Sequence, residues 1–139
     1  MPGSISNKKL NPEEAKIKKE LDKKTLQEEC DNISTYLTHQ LSLFPIYSKT
    51  DKYKVAGVQL KFDFFNASTI TALRDTKMKV KFIGKGGRIV KEGVYTIPEV
   101  IKPNGATFCT LEAEITHQQY NAFTSTEVSF VEAECVSES

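Results

Sequence analysis

This sequence has little with which to do covalent chemistry. It holds two histidines in 139 residues, His39 and His117. Neither has a Cys, Asp or His at metal-ligand spacing, so His39 reads as a polar residue on a helix and His117 as one in a loop. No serine stands in a nucleophile-elbow context. The carboxylate pairs Glu112/Glu114 and Glu132/Glu134 lack an apolar surround that would raise a pKa, and read as solvated strand faces. Gly84-Lys85-Gly86-Gly87 is not followed by Lys-Ser, Lys-Thr or a helix start, so it reads as a hairpin turn rather than a phosphate cradle. No catalytic, cofactor-binding or metal-binding residue is assigned, no cofactor is expected, and an enzyme is the least favoured function class.

Cysteine is scarce as well. Cys30, Cys109 and Cys135 are too few and too widely spaced for a disulfide framework or a zinc site with paired short spacings. Cys109 shares its strand phase with Leu111, Ala113 and Ile115, and Cys135 shares one with Val131 and Ala133, so both are expected to be small buried hydrophobes. If those two strands are neighbours their sulfurs could bridge, which would argue for an oxidising compartment. Asn32-Ile33-Ser34 and Asn66-Ala67-Ser68 match the glycosylation pattern, but it arises often by chance and neither is assigned.

Net charge is nearly absent too. Nineteen Lys plus Arg against eighteen Asp plus Glu leave +1, so no global field selects nucleic acid or an anionic membrane. Met1 to Lys9 lacks the apolar stretch of a secretory signal, and no segment approaches the roughly 20 apolar residues of a membrane span. The chain as it stands reads as soluble and cytoplasmic, or as envelope or extracellular if it derives from a processed or longer protein.

What is present is patterning. Up to Pro45 apolar residues recur at steps of three to five: Ile17, Leu21, Leu26, Cys30, Ile33, Leu37, Leu41 and Phe44. Asn11 as N-cap, Pro12 at the first helical position, and Glu13 and Glu14 near the positive dipole end predict where that helix starts. Pro45 predicts its end, with an earlier break open because the phase slips between Leu21 and Cys30. Lysines and glutamates dominate the first half, with Glu14–Lys18 and Glu20–Lys24 at helical pairing distance. The second half is more apolar, and Ile33, Leu37 and Leu41 form the candidate helix interface, either with the chain's own β domain or with another chain. A regular coiled coil is the weaker form of that idea.

After Pro45 the period becomes two. Val58, Leu60, Phe62 and Phe64 predict one strand, Ile70 to Leu73 a short second, Met78, Val80 and Phe82 a third, and Ile89 to Ile97 a fourth. Pro103-Asn104-Gly105 is a turn, proline presetting one angle and glycine accepting the next. Cys109 to Ile115 follows, then a last strand whose inward phase passes from Val128 and Phe130 to Val131, Ala133 and Cys135, which predicts a bulge near Phe130. The expectation is a mainly β chain: residues 1–45 as tail and charged amphipathic helix, and 46–139 as an antiparallel immunoglobulin-like β-sandwich of six or seven strands.

Phe62-Asp-Phe-Phe-Asn-Ala-Ser68, Val80-Lys-Phe-Ile-Gly-Lys-Gly-Gly87, and Ile101-Lys-Pro-Asn-Gly105 with Phe108 together resemble the order of signals in the FxLYD-type bacterial β-sandwich modules. The resemblance covers about residues 55–136 and implies a non-catalytic interaction module, often at the bacterial envelope, with no active site. One local charge feature points the same way: Lys77, Lys79 and Lys81 on one strand face continue into Lys85 and Arg88, a basic stripe for an anionic partner unless Glu112 and Glu114 neutralise it. Nucleic acid is disfavoured, since no exposed aromatics interleave with these lysines. The partner is therefore another protein or further copies of this chain. The alternative is a structural subunit of a phage or bacterial secretion or envelope assembly that oligomerises through the helix.

Overall fold

A computed structural model describes residues 11–138, so the tail Met1 to Lys9 lies outside it. Helix α1, Pro12–Asp31, begins as the sequence predicts, with the Asn11 side chain accepting from the Glu14 N–H at 2.8 Å. It ends well short of Pro45. Asn32 caps it by donating its amide to the Glu28 carbonyl, one further turn (α2, Ile33–Tyr36) follows, and the chain then extends into strand β1, Leu37–Tyr47.

This corrects both the helix and the domain boundary. Leu37 and Leu41 are four apart, a step that satisfies a helix and a strand alike; Leu43 and the pairing offered by β2 (Val55–Asn66) decide for the strand. Pro45 sits inside β1, tolerated because β1 is an edge strand whose outer side needs no donor. The sandwich therefore begins before residue 46.

β1 and β2 pair antiparallel, and β5 (Gly105–Glu114) pairs with the other side of β2. The second sheet centres on β3 (Thr71–Gly84), flanked by β4 (Ile89–Ile97) and β6 (Phe123–Ser137). The two expected strands at 70–73 and 78–82 are thus one, interrupted by a bulge at Asp75, whose φ of 49° is left-handed. In immunoglobulin terms β1, β2 and β5 stand as A, B and E, and β3 and β6 as C and F, with β4 beside β3. Among the described residues no strand takes the next position beyond β6.

The core follows from strand phase. Val58, Leu60, Phe62 and Phe64 of β2 and Leu73, Met78, Val80 and Phe82 of β3 are all buried, and the Phe62 and Phe64 rings lie parallel with centroids 5.5 Å apart. Each such side chain contributes about 1.5–3 kcal/mol on leaving water. The bulge in β6 is present, at Val131, between Phe130 opposite Met78 and Glu132 opposite Lys77. Val131 itself turns outward, so the inward phase passes from Phe130 to Ala133.

Two turns differ from expectation. In Pro103-Asn104-Gly105 it is Asn104 that takes the left-handed conformation, with φ of 50°. His117 lies in a short helix, α3 (His117–Ala122), opened by a capping box in which Thr116 and Gln119 exchange hydrogen bonds. The His117 Nδ1 accepts the Val55 N–H at 3.1 Å, tying α3 to the start of β2, so this histidine is structural rather than a free surface group. His39 is half-buried on β1 and not on a helix.

Candidate interaction surfaces

The sandwich leaves two sheet faces, the strand edges and the helix as surfaces on which a function can be built. On the outer face of the β4-β3-β6 sheet, Lys77, Lys79 and Lys81 share one side of β3, as their period-2 spacing requires. They are not a free basic stripe. Lys77 pairs with Glu132 at 3.8 Å, Lys79 with Glu92 at 3.0 Å, and Arg74 with Glu134 at 2.6 Å. Lys81 stands opposite Glu92 and Glu127 in the strand registers. The neutralising acids therefore come from β4 and β6; Glu112 and Glu114 lie on β5, in the other sheet. Lys85 and Arg88 sit at the exposed β3–β4 hairpin, where Gly86 and Gly87 supply φ of 75° and 82°. The structure brings the first three lysines together inside an exposed charge lattice whose pairs are individually worth little.

The candidate helix interface is made with the chain's own β domain, and most of it is strand rather than helix. Ile33 and Leu37 are buried in the chain's own core, Leu41 packs against it, and two of the three lie at the start and middle of β1. The apolar residues left open on α1 are Ile17 and Leu21, 57% and 58% exposed.

The helix is held instead by its last turn. The buried Glu29 carboxylate accepts from Thr69 N–H at 2.7 Å, Thr69 Oγ1 at 2.8 Å and Ile70 N–H at 3.1 Å in the β2–β3 connection, and from Thr71 Oγ1 at 2.8 Å at the first residue of β3. Burial raises the carboxyl's pKa, but these four bonds together outweigh it and leave the pKa lowered. The same turn is stitched by Asn66, whose amide donates to the Thr71 carbonyl and whose Oδ1 accepts from Ser68 N–H. Asn66 is fully buried, so in the folded protein its glycosylation pattern is sealed.

Beside Glu29, Cys30 forms a disulfide with Cys135 on β6, the Cα atoms 6.1 Å apart. The expectation that Cys135 is a free buried thiol, with Cys109 as its alternative partner, is thus corrected. Cys109 does behave as a small hydrophobe: it is free and buried, and burial, aided by the Glu99 carboxylate, pushes its pKa up to about 12. It stays a neutral thiol, unsuited to nucleophilic work.

The surface that sequence reasoning missed is the outer face of β1-β2-β5. Registers place Thr38, Phe65 and Ala106 in one row, Gln40, Asp63 and Phe108 in the next, then Ser42, Lys61 and Thr110, then Phe44, Gln59 and Glu112. Three phenylalanines thus face solvent, Phe44 at 47%, Phe65 at 46% and Phe108 at 70% exposure. The Lys61 ammonium lies 4.8 Å from the Phe44 ring centre, a cation–π contact. A shallow cleft of about 330 Å³ opens beside Phe65 and Phe108, bordered by Thr38, Gln40 and Asp63. The signal was in the phase: if Phe62 and Phe64 point inward, Phe65 points out, and if Cys109 points inward, Phe108 points out.

Among the described residues no group of three His, Cys, Asp or Glu side chains is arranged to hold a metal ion. No described helix is long and apolar enough to cross a membrane. No protein-family model, curated protein or solved structure matches this chain.

Proposed function

We propose that this chain is a non-catalytic protein-interaction module that docks a folded partner on the outer face of the β1-β2-β5 sheet. The observation that carries this reading is the exposure of Phe65 and Phe108 in adjacent rows, with Phe44 further along, on one sheet face. Apolar rings on a solvated face are a standing cost in solubility, and aromatic side chains are enriched where protein surfaces meet. The partner surface that fits is apolar opposite the rings, with a donor for Asp63, which neighbours Phe108 across the strands. The resemblance to FxLYD-type modules agrees with this role. The Cys30–Cys135 bridge favours an oxidising compartment over the cytoplasm.

The test is affinity capture by the intact chain beside its Phe65→Ser/Phe108→Ser variant, followed by direct binding with the purified partner. A partner whose affinity falls at least tenfold for the variant supports the reading. One that binds both equally, or no specific partner, overturns it.

A second reading, a structural subunit that oligomerises through the helix, is favoured by the exposure of Ile17 and Leu21 on α1. It expects a mass that rises with concentration and reverts to monomer in Ile17→Ser/Leu21→Ser.

A further inference from the structure

The sandwich has an open edge with an acceptor's chemistry. β6 is 15 residues long, the longest described strand, and contains no proline or lysine; its charges are all glutamates and a bulge lies at Val131. Of the other described edges, β1 holds Pro45 and β4 holds Lys91, while β5 also lacks proline and lysine but is only 10 residues long. One side of β6 is paired with β3 along its length, and no described strand pairs with the other. Helix α1 reaches only its far end, through Cys30–Cys135 and a cleft that Leu26 and Lys23 share with Ser137. The stretch Phe123 to Phe130, ahead of the bulge at Val131, is left as uninterrupted edge.

We propose that this edge takes up an extended segment of a partner protein, in which basic and apolar residues alternate, as an added strand. The contact rests on the proposed interaction role but uses a surface separate from the aromatic face.

Two sets of side chains select that segment. On the solvent side β6 presents Glu127, Glu132 and Glu134 and no cation. The Glu132 and Glu134 side chains stay 67% and 54% exposed although Lys77 and Arg74 already pair with them from β3, so each can receive a second cation from the opposite flank. On the core side Val128, Phe130 and Ala133 are only partly covered, and apolar side chains on a neighbouring strand would complete their burial. β3 is the molecule's own example of such a neighbour. Its Arg74, Lys77 and Lys81 face the three glutamates while Met78, Val80 and Phe82 enter the core. Pairing of β6 with β6 of a second copy would bring no cation to these glutamates, since β6 has no Lys or Arg, so a heterologous basic segment is the occupant the charges favour. Main-chain hydrogen bonds then supply affinity and the alternation supplies specificity.

The probe is a capped peptide copying residues 76–83, Thr-Lys-Met-Lys-Val-Lys-Phe-Ile, titrated into the isotope-labelled full chain and followed by amide shifts. The expected result is saturable binding with shifts concentrated on Phe123 to Glu134. Affinity should fall at least tenfold when the peptide lysines are replaced by glutamate, and at least tenfold when every peptide nitrogen is methylated. Glu127→Lys in the protein should weaken it severalfold, whereas Phe65→Ser/Phe108→Ser should leave it unchanged, which separates this site from the aromatic face. Absent binding, shifts centred elsewhere, or equal binding by the methylated peptide would each overturn the proposal.

Discussion

The Glu29 carboxylate and Thr69 are joined twice, through the Thr69 N–H and its hydroxyl, so one helix side chain closes the turn that carries the chain from the first sheet to the second. That turn is irregular, and its donors at 69 and 70 find no strand partner; the carboxylate satisfies them where water would otherwise be needed.

Glu29→Gln should therefore destabilise the protein by about 2–4 kcal/mol at neutral pH, because a charged acceptor with several buried donors is replaced by a neutral one. Since the folded carboxyl ionises more readily than the unfolded one, its contribution is complete above the ordinary carboxylate range and is lost as pH falls through its lowered folded value. Thermal unfolding of both proteins at stepped pH checks this: the gap between them should narrow in acid and not in base.

The Cys30–Cys135 bridge spans 105 positions, so it restricts most of the unfolded chain. Its reduction, or Cys30→Ser/Cys135→Ser, should cost about 2–4 kcal/mol, read from urea unfolding with and without reductant. Cys109→Ala should leave the response to reductant unchanged, since that thiol is unbridged.

Thr76 is buried at the bulge in β3, and its hydroxyl has no hydrogen-bond partner among the described residues. Replacing it with the near-isosteric valine removes an unsatisfied polar group without opening a cavity. Thr76→Val should be neutral or stabilising by about 1 kcal/mol in the same unfolding measurement. A loss of stability would show that the hydroxyl is satisfied in solution.

How legible the fold was depended on which period a residue pair could distinguish. Val58 to Phe64 and Met78 to Phe82 alternate strictly, and only a strand buries that pattern on one side. Leu37 and Leu41 fit both periods, so β1 read as helix. Arg74-Asp75-Thr76 read as a break between strands because a bulge and a loop look alike without the pairing partner. Of the candidate site, the stripe of Lys77, Lys79 and Lys81 was legible, but not the glutamates that neutralise it, since Glu92 and Glu132 lie remote in sequence and meet the lysines only through strand order. Phe65 and Phe108 were legible by phase, yet their gathering on one face needed the register of β2 against β5.

Local periodicity and turn chemistry by themselves determined a charged helix ahead of a two-layer β structure, its principal buried side chains, the start of the helix at Asn11 and the bulge in the last strand. These follow from interactions within a few residues, which the chain cannot avoid. Only the tertiary structure decided which strands are neighbours, that Cys30 rather than Cys109 meets Cys135, that Glu29 seals the crossover turn, and that β6 keeps an open edge. Those depend on strand order across the two sheets, set by how the whole core closes.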